Sequence, residues 1–143
     1  MSRAFPLASL LRLRTLTEDR AASELALARR DQSRAEQRAR DTLDRLSGAT
    51  LPRGGDTLAW QAAIASRAAL GSLLIERKFD VAVAETVTDG CHETWSEARQ
   101  QVRALERLEE RHEETVRLEE NRAEQKVLDE MAGRRASEGA GEG

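Results

Sequence analysis

Cys91 and His92 form the one neighbouring pair whose residue types could support nucleophilic chemistry. A thiol is activated by an imidazole within hydrogen-bond reach. Adjacent residues on a helix point in different directions and do not face each other. The surrounding sequence is helical in pattern, so this pair does not read as a catalytic dyad. The chain holds two histidines and one cysteine, with no cluster at metal-ligand spacing. Gly54-Gly55 lacks the preceding strand and the following Lys-Ser/Thr that a phosphate-cradling loop needs. No enzymatic site, metal or cofactor is expected. Trp60 and Trp95 read as residues of a packing face, with contact to a partner as the competing reading, and His112 reads as a polar seam residue, with a ligand or a switch as the competing reading.

What remains is charge. Arg99, Arg103, Arg107 and Arg111 recur every four residues, as do Glu106, Glu110 and Glu114. Like charges at this spacing repel by roughly a few tenths of a kcal/mol per pair, partly offset by opposite charges three apart. The rows describe either a solvated helix face or a charged face held for a partner. Residues 1–47 carry ten arginines against seven acids, and the whole chain is at −3. The interleaved acids and the small net charge argue against a nucleic-acid partner.

These residues must be positioned by long helices. From Trp60, steps of three and four fall on Ala63, Arg67, Leu70, Leu74, Arg77, Val81, Ala84, Thr88, Cys91, Trp95, Ala98, Val102 and Leu105. The same register continues through Glu109, His112, Val116, Glu119, Ala123, Lys126 and Glu130. An unbroken register of this kind marks a coiled-coil seam. It is mostly apolar to Leu105; beyond it only Val116 and Ala123 remain apolar. Ala, Glu, Lys, Leu and Arg make up 82 of the 143 residues, and aromatic residues only 3%. That composition suits a helix pair and not a thick globular core.

A first helix is expected over 5–47, opened by Phe5-Pro6-Leu7 with Pro6 in the first turn. Its seam is Leu7, Leu11, Arg14, Glu18, Ala21, Leu25, Ala28, Gln32, Ala35, Ala39, Thr42 and Leu46. Leu10, Leu13 and Leu16 widen its apolar face. Residues 48–55 form the turn: Gly48 is placed to cap the helix in a left-handed conformation, and Pro52 with Gly54-Gly55 reverses the chain. Asp56 can N-cap a second helix over 56–132. The β-branched and glycine-containing Thr86–Gly90 stretch is the weakest part of it, but the register is the same on both sides. Leu73, Ile75 and Phe79 lie off the seam and either widen the core or form an exposed docking patch. Residues 133–143, GRRASEGAGEG, read as a disordered tail.

The predicted fold is therefore all-α: two long helices in an antiparallel coiled-coil hairpin, the second longer. Folding symmetrically about the turn pairs the first helix with the second only to about residue 98, leaving on the order of 30 residues overhanging. A single cysteine and the lack of an uninterrupted apolar run near 18 residues suggest a cytoplasmic protein with no membrane-spanning helix.

Two stretches resemble a known family. Phe5-Pro6-Leu7 followed by Leu10, Leu11, Leu13 and Arg14 resembles the start of flagellar export proteins of the FliJ family. So does Ala104-Leu105-Glu106-Arg107-Leu108-Glu109-Glu110-Arg111, then Glu124-Gln125, then Leu128-Asp129-Glu130 and Ala132. The resemblance implies a non-enzymatic component of the flagellar type III export apparatus, serving flagellum biogenesis, motility and chemotaxis. It implies a stalk-like regulator that inserts into the hexameric export ATPase and links it to the membrane-embedded export gate, with export chaperones as further partners. The chain would then be cytoplasmic, peripheral at the inner face of the cell membrane. Phe5, Leu10, Arg14, Leu108, Arg111, Glu124, Gln125, Leu128, Asp129 and Glu130 are the implied partner-binding residues. From the residues alone, a general self-associating coiled-coil scaffold or adaptor remains the alternative.

Overall fold

The computed structural model describes residues 3–141 and consists of two helices. Helix α1 spans Ala8–Gly48 and helix α2 spans Thr57–Gly141, 41 and 85 residues long. They form a helical hairpin with the second helix the longer, and no strand occurs among the described residues.

Each helix end has a local cause. Helix α1 starts three residues later than the sequence suggests, because Pro6 and Leu7 form a turn ahead of it. In that turn the Ala8 amide donates to the Phe5 carbonyl at 3.1 Å, and the Leu11 amide to Leu7 at 2.9 Å. Arg45 lies in the last turn of α1, where a cation complements the helix dipole. Gly48 does not take the expected left-handed cap: it remains in the helix, and the positive backbone angles fall on Gly54 (φ 150°) and Gly55 (φ 111°). Those two glycines hold the reversal in a region that side chains with a Cβ rarely adopt. Asp56 caps α2 as expected, its Oδ1 accepting from the Leu58 amide at 3.2 Å.

Helix α2 crosses Thr86–Gly90 without interruption. Thr86, Thr88 and Thr94 donate their hydroxyls to the carbonyls of Ala82, Ala84 and Gly90, so the polar groups of the weak stretch are spent on the helix itself. It also continues through 133–141, where the sequence suggested an irregular tail. Residues 134–138, Arg-Arg-Ala-Ser-Glu, favour helix well enough to bridge Gly133 and Gly139.

The chain divides into two compact units. In the unit of residues 17–98, α1 buries Ala21, Leu25, Ala28, Ala35 and Thr42. Ala21, Ala28, Ala35 and Thr42 recur every seven residues, so one heptad position is small throughout and admits a close neighbour helix. Thr42 is buried without penalty because its hydroxyl donates to the Arg38 carbonyl at 2.9 Å. Helix α2 contributes the buried Ala98 and the half-buried Leu70, Leu73, Leu74, Val81, Ala84, Thr88, Cys91 and Trp95. Arg67 donates to the Ala49 carbonyl at 3.2 Å, holding the start of α2 to the end of α1.

Two expectations change here. Trp60 is exposed, because the first turn and a half of α2 precedes its half-buried face, which begins at Ala63. Of the off-seam residues, Leu73 widens the core, whereas Ile75 and Phe79 are about 70% exposed. By average hydropathy α2 contains a segment apolar enough to cross a membrane, although it holds no uninterrupted apolar run of that length; none of it is fully buried, and Leu70, Leu73 and Leu74 within it are half-buried in the hairpin. Alanines raise the average across 58–75 although Gln61, Ser66, Arg67 and Ser72 break the run.

In the unit of residues 1–16 and 99–143, Val102 and Leu105 are buried, and Leu10, Leu11 and Arg14 of α1 are half-buried. Along α2 the half-buried positions continue at Glu109, His112 and Val116, and every described residue from 117 onward is exposed.

The glycines make a direct test. A Cβ at Gly71 or Gly90 would meet nothing within 4 Å. Gly90→Ala is expected to stabilise the protein by about 1 kcal/mol through helix propensity. Gly55→Ala, at positive φ, is expected to destabilise it by about 1 kcal/mol. Urea unfolding followed by circular dichroism measures both; equal effects of one sign would contradict the helix through Gly90 or the turn geometry.

Candidate partner-binding surface

The unit formed by residues 1–16 and 99–143 holds all ten of the residues singled out from the sequence. Its N-terminal end is built by the turn at Pro6, which directs Arg3–Phe5 onto α2. The Phe5 and His112 rings lie 5.7 Å apart, inclined by 50°. His112 Nε2 is 3.1 Å from the Arg3 carbonyl, so in the tautomer with the proton on Nε2 it donates to the backbone of the arm. Arg3 Nη1 approaches Glu119 Oε2 at 3.5 Å, an exposed ion pair of small energetic weight. Phe5 and Ala8 together with Glu109, His112, Val116 and Glu120 line an open cleft there.

His112 thus does more than sit on a polar seam position: it receives both the ring and the backbone of the arm. The sequence signalled the α2 half of this arrangement, since Glu109, His112, Val116 and Glu119 continue the three-four register. It did not signal Arg3, because nothing in an isolated Met-Ser-Arg-Ala segment indicates what it meets.

Beyond Glu119 the helix runs on exposed. Ala123 and Val127 follow Val116 at steps of seven and four, with Met131 four further on. Val127, Leu128 and Met131 are each more than half exposed, as is Leu118. Gln125 donates to Asp129 Oδ1 at 3.0 Å along the helix. This stretch therefore presents an extended apolar stripe, bordered by Glu124, Lys126, Asp129 and Glu130, with no chain segment covering it among the described residues.

The ten residues separate into groups. Phe5 belongs to the arm contact, and Leu10 and Arg14 are half-buried on α1. Leu108 and Arg111 are exposed on α2. Glu124, Gln125, Leu128, Asp129 and Glu130 lie further along; Glu124 is twelve residues past His112, about 18 Å at the helical rise. At about 100° per residue these five spread around the helix, with Glu124 and Leu128 on one face and Gln125 and Asp129 on another. They are a segment of helix rather than a single face.

The remaining reactive types are placed apart. Cys91 is half-buried on the seam, and the His92 ring lies 5.9 Å from Trp95. Among the described residues no three His, Cys, Asp or Glu side chains are grouped to hold a metal ion.

No curated protein and no solved structure matches the chain. A family model, that of the flagellar FliJ protein, matches residues 2–141. With that match spanning nearly the whole two-helix chain, the protein belongs to the flagellar FliJ family, non-enzymatic components of the flagellar protein-export apparatus.

Proposed function

We propose that this chain is a stalk-like regulator of the export ATPase and its link to the export gate. The observation that carries the reading is the exposed part of α2 from 117 to 141. A long helix with no packing of its own gains little stability from propensity alone, because most helical stability in proteins comes from tertiary contacts. Here the uncovered stretch also bears Leu118, Val127, Leu128 and Met131 in the open. Buried apolar anchors with charged surroundings are what a helix-in-groove contact uses. A central cavity in a ring-shaped ATPase would supply such a groove. The arm residue Phe5, with Leu10 and Arg14 of α1, would present the second helix to the same partner. The chain would work in the cytoplasm at the inner face of the membrane, where the gate protein and export chaperones are its further partners.

The direct test is an ATPase assay with the hexameric export ATPase of the same cell. The full chain is expected to bind it and raise its turnover. Val127→Glu with Met131→Glu is expected to weaken binding by about 2 kcal/mol or more, as for loss of apolar anchors, while stability changes by no more than about 0.5 kcal/mol because both sites are exposed. Undiminished binding and stimulation by this double variant would refute the role of the stripe. A chain that instead sediments as a stable dimer and leaves the ATPase unaffected would point to a self-associating scaffold.

The arm gives an independent test. Phe5→Ala removes a half-buried ring from His112 and is expected to cost about 1 kcal/mol of stability. It should also speed amide exchange of the first turn of α1. Exchange unchanged from that of the parent chain would show that the Phe5–His112 contact does not hold the arm.

A further inference from the structure

The exposed end of α2 has a symmetry that the hairpin does not use. Val127 is its centre. Four residues to either side stand Ala123 and Met131, and seven to either side stand Glu120 and Arg134. At about 100° per residue these five lie within about 40° of one line along the helix. Leu128 borders that line. All six are exposed, Val127, Leu128 and Met131 at 54%, 59% and 54%. Inverted end for end, the row sets an acid where it has a base and an apolar side chain where it has another.

From this pattern we infer that residues 116–138 of α2 dock on the same segment of a second copy, laid antiparallel about a two-fold axis at Val127. Such an interface uses one patch on both chains and must be self-complementary. Here Val127 faces Val127, Leu128 lies beside Leu128, and the small Ala123 faces the larger Met131 of the second copy. Toward each end Glu120 meets Arg134 and Arg135 of the second copy, and Arg117 meets Glu138. The two Lys126 side chains lie near one another, but each also has Glu130 of its own helix four residues on and Glu130 of the second copy beside it. Glu124 is at the rim, in solvent.

Charge selects this occupant and this direction. Residues 116–138 hold five basic and six acidic side chains, so two copies approach with almost no net repulsion. A parallel pair would set Glu120 on Glu120 and Arg134 on Arg134, which opposes like charges. The arm is compatible with the antiparallel pair: Arg3 approaches Glu119 at 3.5 Å and leaves Glu120 to the second copy. The segment is about 33 Å long at the helical rise. With four apolar side chains from each chain the contact lies at the small end of specific interfaces, so the pair is reversible. The inference goes beyond the export reading and stands without it, because it concerns the free chain alone. Pairing also sheathes the side chains that the proposed ATPase groove would take up; that consequence, unlike the pairing, rests on the export reading.

Sedimentation equilibrium of the full chain tests it, with no export component present. A reversible dimer is expected, with a Kd on the order of 100 μM. Glu120→Arg and Arg134→Glu should each weaken it about fivefold or more, and the two together should restore it to within about twofold, with helical circular dichroism unchanged. Direction has its own readout in the Cys91→Ser chain under mild oxidation. Val127→Cys should join to itself. Ala123→Cys should not, because its two copies lie about 12 Å apart along the pair, beyond disulfide reach. Mixed with the Met131→Cys chain, it should join to that chain. A monomer up to about 1 mM, a double variant as weak as the single ones, or self-joining of Ala123→Cys as ready as that of Val127→Cys would each overturn the proposal. A dimer dissociated by Ile75→Gln with Phe79→Gln and untouched by Glu120→Arg would overturn it too, and assign pairing to another face of α2. Loss of ATPase stimulation bears on the export reading alone.

Discussion

Close packing of one helix on another through a small-residue heptad governs this molecule. Ala21, Ala28, Ala35 and Thr42 occupy the same position of successive heptads in α1 and are all buried. With so few large side chains, the chain has little apolar area to hide and must hide it efficiently. Alanine contributes by letting backbones approach, and leucine supplies the bulk: Leu25 is 5% exposed between two of the alanines. The seam has no polar atom left buried without a partner among the described residues. Thr42 shows how, turning its hydroxyl back on the helix.

That mode of packing stabilises only as much of α2 as another helix can cover. Helix α2 is 85 residues long and α1 is 41. The N-terminal arm lengthens the cover in its own unit by using Phe5 and the Arg3 backbone on His112, a contact made with three residues and no further helical turn. Past that point α2 is solvated, yet its sequence does not become uniformly polar. Val127, Leu128 and Met131 remain, and on a helix face with no intramolecular neighbour apolar residues cost solubility without adding stability. Their presence is informative because nothing within the hairpin requires them.

The sequence made the periodic features legible. The buried positions of α1 are those of its three-four register, and Asp56 was readable as a cap from its place before the apolar run. Continuity through Thr86–Gly90 was readable from phase, since a true break would have reset it. Other features were not. The assignment of positive φ to Gly54 and Gly55 rather than Gly48 depends on where the helix runs out of packing, which no local propensity encodes. Arg3 and His112 meet through a contact 109 residues apart in sequence. Ile75 and Phe79 fitted two readings, because a wide core face and an exposed row use the same residue types. Only the burial of Leu70, Leu74, Arg77 and Val81 on the other side separates them.

Of the ten residues drawn from family resemblance, all fall in one unit, which periodicity alone would not have grouped. Yet Glu124, Gln125, Leu128, Asp129 and Glu130 spread around α2 rather than line one side of it. That spread follows from their spacing, because five positions within seven residues of one helix cannot share a face. The resemblance therefore marks a length of helix, whereas the exposure of Val127, Leu128 and Met131 marks the apolar side chains that the hairpin leaves uncovered.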